Sequence, residues 1–212
     1  MPKGLLLAAF DFSTAHEDEF HAWYDTEHVP ERLRVPGFLN AERWIDTANP
    51  KIAIATYDVE STGVFDSPAY RAVGGANGTP WTKRVTTMAN RLMRFVGDQV
   101  KPGDLVAPSG AGALLMASMN VDAAVEPEFN EWYNTEHLPL LGAVPGVLAA
   151  RRFQRSDTES ERKFVALYHM KDVEVSRSDA WSKAANTPWT EKMRPHFKDA
   201  MVLRLNRYQR RG

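Results

Sequence analysis

Residues 5 to 12, Leu-Leu-Leu-Ala-Ala-Phe-Asp-Phe, are apolar at nearly every position. Such a run fits a strand buried on both faces, and a short helix fragment is the competing reading. The period then changes. Phe20, Trp23, Tyr24 and Glu27 fall at i, i+3, i+4 and i+7 behind the polar, acidic turn of residues 13 to 19, which predicts an amphipathic helix with His28 on the flank of its apolar face. Pro30 disfavours helical geometry at Val29 and should stop the helix near His28. After the Pro36-Gly37 turn, Phe38 to Ile45 reads as a strand, and Asn49-Pro50 leads into an alternating, β-branched strand from Ile52 to Val59. Ser67 before Pro68 and Thr79 before Pro80 are N-cap signals for two further helices, separated by the glycine-rich connector 74 to 78. Arg91 to Val96 is the closing strand.

The same order recurs. Glu128-Phe129-Asn130-Glu131-Trp132-Tyr133-Asn134-Thr135-Glu136-His137-Leu138-Pro139 repeats Glu19 to Pro30, and His137 follows His28 by 109 positions (137 − 28). Val35-Pro36-Gly37 recurs as Val144-Pro145-Gly146, and Thr79-Pro80-Trp81-Thr82 as Thr187-Pro188-Trp189-Thr190. A period this long implies a duplicated domain and not a solenoid. Predicted elements in the second unit are strand 113 to 121, helix 126 to 138, strands 147 to 153 and 163 to 170, helices 178 to 185 and 188 to 198, and strand 201 to 208. Residues 98 to 112, rich in Gly and Pro, form the expected linker between a first repeat at 1 to 97 and a second at 113 to 212.

Each unit therefore reads β-α-β-β-α-β, the ferredoxin-like arrangement. Strands apolar on both faces need cover on each side, which helices and the other unit's sheet can supply. The expected fold class is α+β, with two ferredoxin-like repeats closing into one intrachain barrel.

Composition narrows the partners. Of 212 residues, 26 are Lys or Arg and 27 are Asp or Glu, for a net charge of −1. The electrostatic drive toward nucleic acid is weak, and Arg204, Arg207, Arg210 and Arg211 read as a solvated basic tail. A mean hydropathy of −0.41 and the lack of a long apolar run predict no membrane span, and the short apolar start reads as a strand, giving a cytoplasmic chain as the expectation. With no cysteine, disulfides, thiolate metal sites and a cysteine nucleophile are excluded.

Candidate chemistry concentrates in the repeated helix. His28 and His137 carry the side chain whose ordinary pKa lies nearest neutrality, so each can take and return a proton. A histidine at a helix end can instead cap carbonyls. Glu27 and Glu136 fall within an apolar stripe, where a carboxylate needs a partner; the neighbouring histidine or the matched pair Arg43 and Arg152 could supply it, with a catalytic acid as the other reading. Tyr24 and Tyr133 could donate to a substrate oxygen or simply pack, and Trp23, Trp132, Trp81 and Trp189 could line a pocket or fill the core. One histidine beside one glutamate per unit does not make the converging ligands of a catalytic metal site. No nucleotide fingerprint or Gly-x-Ser-x-Gly elbow is present.

Taken together, Trp-Tyr-x-Thr-Glu-His-x-Pro, the following Val-Pro-Gly and the Thr-Pro-Trp helix start resemble the dimeric α+β barrel superfamily, and within it the EthD-like proteins. The resemblance spans both units. It implies a small pocket between each sheet and its helices, and activities that range over cofactor-independent isomerases, cyclases, lyases and monooxygenases, with haem-binding branches in which His28, His137 or His196 could ligate. It also implies association into a homodimer as an option, because members often pair. The resulting expectation is an enzyme without cofactor or metal, in which His28 or His137 moves a proton on a small hydrophobic carbonyl, aromatic or lactone compound. A non-catalytic protein binding a small hydrophobic ligand is the alternative, and a cofactor-free monooxygenase or haem protein the further one. The residues after the shared proline, Glu31-Arg32-Leu33-Arg34 against Leu140-Leu141-Gly142-Ala143, predict that one pocket mouth is charged and the other apolar.

Overall fold

Successive side chains of a strand point to opposite faces, and both faces of the first strand are buried. In β1 (Gly4–Asp11), Leu5, Leu7 and Ala9 join one apolar cluster while Leu6 and Phe10 join another. The computed structural model, which describes residues 1–157 and 161–209, shows why. β1 belongs to a closed barrel of eight strands, with one set of side chains in the barrel interior and the other under helices. The remaining strands are β2 (Glu42–Asp46), β3 (Ile52–Val59), β4 (Asn90–Lys101), β5 (Ala113–Val121), β6 (Val147–Arg155), β7 (Phe164–Met170) and β8 (Phe197–Arg207). Around the barrel they run β1-β3-β2-β8-β5-β7-β6-β4.

Within each half the order is that of a ferredoxin-like sheet, β4-β1-β3-β2 and β8-β5-β7-β6. The halves join at two antiparallel seams, β2 with β8 and β4 with β6. One chain thus supplies both sheets, and closure leaves no free edge for aggregation. At the second seam Gly97 is required by close approach, because a Cβ there would stand 2.4 Å from the Gln154 carbonyl oxygen and 2.5 Å from the Phe95 ring. The repeated Val-Pro-Gly turns end on Gly37 and Gly146, both at φ +93°, where only glycine is unstrained.

Helices cover the outer face of each half: α1 (Glu17–Trp23), α2 (Val29–Leu33), α3 (Pro68–Val73) and α4 (Pro80–Met88) in the first, α5 (Glu126–Trp132), α6 (Leu138–Gly142), α7 (Asp179–Ala185) and α8 (Pro188–Met193) in the second. The side chains of Ser67, Thr79, Ser178 and Thr187 each accept from the backbone N–H three residues on, so the four caps form as local chemistry dictates. None of the described helices is long and apolar enough to cross a membrane.

Several elements differ from the expectation. The first helix does not end at His28. It widens into a π turn, Tyr24–His28, and continues as α2; the second half does the same at Tyr133–His137 and α6. Pro30 and Pro139 are accommodated because the turn before them is bonded i to i+5, Val29 N–H to Tyr24 O and Leu138 N–H to Tyr133 O. The strand expected from Phe38 begins only at Glu42, because the Asn40 side chain bonds both the backbone N–H and the carboxylate of Asp58 and displaces regular pairing. Helix 188 to 198 is shorter, passing at Arg194–His196 into a 3₁₀ turn around Pro195 and then into β8.

Residues 98 to 101 belong to β4, and the segment that follows crosses one end of the barrel. Gln99 fastens it through Gly103 N–H, Leu105 N–H and Leu105 O. Arg151, fully buried, pairs with Asp58 at 2.7 Å and also donates to Leu105 O, while Ala107 N–H donates to Asp58. Arg151 lies 2.9 Å from His169 Nε2, and His169 Nδ1 lies 4.0 Å from Glu42. Arg207, expected in a solvated tail, instead donates to Ser109 O, Ala111 O and Glu42. Arg204 is likewise part of β8, and Arg210 and Arg211 lie outside the described residues. A polar layer therefore closes this end, and its buried charges are paired as their desolvation requires.

Candidate functional site

Five residues advance an α-helix by one turn plus about 140°, so Trp23 and His28 would point apart in a regular helix. A π turn accommodates the step in roughly one turn. The rings therefore stack, with centroids 4.4 Å apart in both Trp23/His28 and Trp132/His137. The extra residue thus moves each histidine from the flank of its helix onto the aromatic face, where it opens on a cavity.

The first-half cavity, about 480 Å³, lies between β1, β3 and β4 and the helices, and is lined by Trp23, Tyr24, His28, Arg32 and Tyr57 among others. Tyr24 meets the His28 ring edge-on at 5.3 Å, and Tyr57 stands at 6.4 Å. Burial, then the charges of Arg32 and Arg43, push the His28 pKa down to about 3, so the imidazole is neutral at physiological pH. Burial raises Tyr24 to about 12 and Tyr57 well above its ordinary value. The Tyr57 hydroxyl and His28 Nδ1 are both buried without a hydrogen-bond partner, which is unusual for groups whose desolvation costs about 1–3 kcal/mol each. Arg32, buried, donates to Val73 O at 2.9 Å and pairs with Glu31 at 3.2 Å.

The second-half cavity, about 350 Å³, is lined by Trp132, Tyr133, His137, Leu141, Tyr168 and Trp181, with Arg194 and Arg204. Leu141 occupies the place of Arg32. Burial and Arg194 lower His137 to about 4. Here the two phenols satisfy each other, since Tyr168 donates to Tyr133 at 3.3 Å. His196, the third histidine considered for haem, is outside both cavities and bonded to Asp122. Among the described residues no three His, Asp or Glu converge as metal ligands would.

The other sequence candidates have different placements. Glu27 accepts from Thr79 at 2.5 Å and Thr82 at 3.1 Å, and Glu136 accepts from Thr187 at 2.5 Å; they fasten the π turn to the next helix cap and do not pair with arginine. Arg43 grips Asp25 and His21 and lies over Tyr24 and Tyr208, and Arg152 grips Asn134 and Asn130 and lies over Tyr133. These arginines bolt helix to sheet and line neither cavity. Trp81 packs in the first-half core and Trp189 donates to Glu128, so neither reaches a cavity. Tyr57, Tyr168, Arg91, Arg94 and Trp181 escaped the sequence reading. Tyr57 and Tyr168 pair with Leu6 and Leu115, equivalent strand positions, yet stand 111 residues apart (168 − 57). A two-residue drift from the main repeat hid the match. Gly75, read as part of a bare connector, lines the first cavity.

Barrel, covering helices and paired cavities define the class: a single-chain α+β barrel with a histidine-lined pocket in each half. No protein-family model matches the chain, and no curated protein does. Solved structures share the fold over nearly the whole length. A proposed monooxygenase from Lactobacillus acidophilus NCFM is 13% identical at TM-score 0.60, with 98% of this chain and 94% of that one covered. An anthrone oxidase-like protein is 9% identical at TM-score 0.67, covering 99% and 92%. Chlorite dismutase from Candidatus Nitrospira defluvii, in complex with imidazole, is 10% identical at TM-score 0.59, covering 98% and 91%. At such identities the likeness is one of fold.

Proposed function

We propose that the chain is a cofactor-independent enzyme that removes a proton from a small aromatic or otherwise hydrophobic carbonyl compound in the first-half cavity. The unpartnered, buried Tyr57 hydroxyl beside His28 carries this reading, because the equivalent phenol of the second half is already satisfied. Neutral His28 takes the proton from the carbon next to the carbonyl, the electron pair moves onto oxygen, and Tyr57 donates a hydrogen bond to the oxyanion. Arg32, whose charge helps keep His28 neutral, favours that anion. A base of such low affinity for protons suits a substrate whose C–H is already acidified by carbonyl and aryl groups. The imidazolium then returns the proton elsewhere, an isomerisation or cyclisation. The names of two fold neighbours support a second course, in which the carbanion meets dioxygen and is oxidised to a carbonyl with loss of water. An EthD-like affiliation is compatible with either.

The test is deuterium exchange at the acidic carbon of anthrone and 2-tetralone in D₂O, followed by NMR under nitrogen, with oxygen uptake measured separately in air. Catalysed exchange should fall ~10²–10⁴-fold in His28→Asn, the scale for losing a general base. Binding without exchange would make this a ligand-binding protein. A Soret band formed by stoichiometric haemin and lost in His28→Asn would replace the reading with a haem-based one.

A further inference from the structure

The first-half cavity is lined by three guanidinium groups, Arg32, Arg91 and Arg94, and by no Asp or Glu. Two of the three are answered from outside the lining: Arg32 by Glu31 at 3.2 Å, and Arg94 by Asp157 at 3.0 Å. Arg91 differs. It leaves β4 opposite Phe10 of β1 and is exposed, and its guanidinium has no hydrogen bond or ion pair among the described residues. It stands where the inner cavity meets an outer cleft that shares Tyr70, Gly75, Arg91 and Arg94 with it. In that cleft the two acids are already engaged, Asp66 with Arg71 and Asp157 with Arg94. The passage from cleft to cavity thus keeps one uncompensated positive charge at its mouth, above an aromatic floor of Trp23, Tyr24 and Tyr57.

We infer that the first-half site takes an aromatic acid, with its ring system inside beside His28 and its carboxylate at the mouth on Arg91, seconded by Arg94. A planar guanidinium offers a carboxylate two parallel donors, and an apolar body with one fixed anionic end is the ligand this distribution of surface would orient. The inference deepens the proton-transfer reading by naming the substrate class, and it is tested by binding alone, so each can fail without the other.

The probes are 2-naphthoate and its neutral methyl ester, titrated by calorimetry into the intact chain at low and moderate salt. The acid should bind at least about tenfold tighter than the ester, the scale of one charge-assisted hydrogen bond, and the margin should shrink with salt. Arg91→Gln should remove most of that preference and leave the ester unchanged, Arg91→Lys should keep part of it, and His28→Asn should keep it whole even if it abolishes exchange. Ala185→Trp, which fills the second cavity, should leave the preference intact and so assign it to the first. Equal binding of acid and ester, no binding of the acid at millimolar concentration, an unaltered preference in Arg91→Gln, or its loss in Ala185→Trp would each overturn the inference.

Discussion

Acid should unfold this protein through its histidines. His28 and His137 are held at about 3 and about 4 in the folded chain by burial and neighbouring arginines, whereas an unfolded histidine titrates near 6.5. A folded pKa below the unfolded one gives stability that is complete above pH 6.5 and is lost as pH falls toward the folded value. At pH 5 each unfolded imidazole has taken up a proton that the folded one refuses, a loss of about 2 kcal/mol apiece at 1.36 kcal/mol per unit. The pair therefore costs about 4 kcal/mol between pH 7 and 5. His169, lowered well below its ordinary value by burial and Arg151, acts in the same direction. Glu42, raised by burial, acts oppositely as the pH approaches the carboxylate range. Against a total of ~5–15 kcal/mol this is a large share. Urea unfolding at pH 7, 6 and 5, followed by tryptophan fluorescence, measures it, and the His28→Gln/His137→Gln double variant should lose about two protons of linkage. A wild-type stability that changes by under 1 kcal/mol across this range would refute the argument.

Other expectations follow from single contacts. Tyr57→Phe should leave thermal stability unchanged or slightly raised, since it deletes an unsatisfied buried hydroxyl, while deuterium exchange falls; Tyr168→Phe should cost about 1–3 kcal/mol by orphaning Tyr133. Glu27→Gln weakens the charge-assisted tie to Thr79 and Thr82 and should lower stability by about 1–2 kcal/mol in urea unfolding. Asp58→Ala, which strands buried Arg151, should cost about 3–5 kcal/mol, and the Asp58→Leu/Arg151→Met pair much less. The pH profile of kcat/KM should show no histidine limb between 5 and 8, because the free His28 protonates only near about 3.

Much of the fold was legible because repetition and burial leave strong marks. Doubly apolar strands, capped helices and a 109-residue period fix two sheets that need each other. What the sequence withheld has physical reasons. A π turn adds a residue to the hydrogen-bond ladder without altering composition, so the i, i+3, i+4 pattern placed His28 beside the aromatic face instead of on it. Glu27 found threonine partners because Thr79 and Thr82 arrive from an element 52 and 55 residues away, a distance that no local spacing reports. Arg91 gave no signal, since a lone charge at a strand start resembles any solvated one.

The polar layer at the barrel end also bears on how such a chain could have arisen. Register places Asp58 opposite Leu5 and His169 opposite Leu114, equivalent positions of the two halves, and Glu42 likewise corresponds to Arg151. In a dimer of identical chains a two-fold axis puts the same residue at both equivalent positions, so the acids could not gather in one half and the bases in the other. Joining two copies in one polypeptide released that constraint, and the acids settled in one copy while the arginine and histidine settled in the other. The halves have become lock and key. Expressed apart, each should refuse to pair with itself, where Glu42 of one copy would meet Asp58 of the other, or Arg151 would meet His169, and should assemble only with the other.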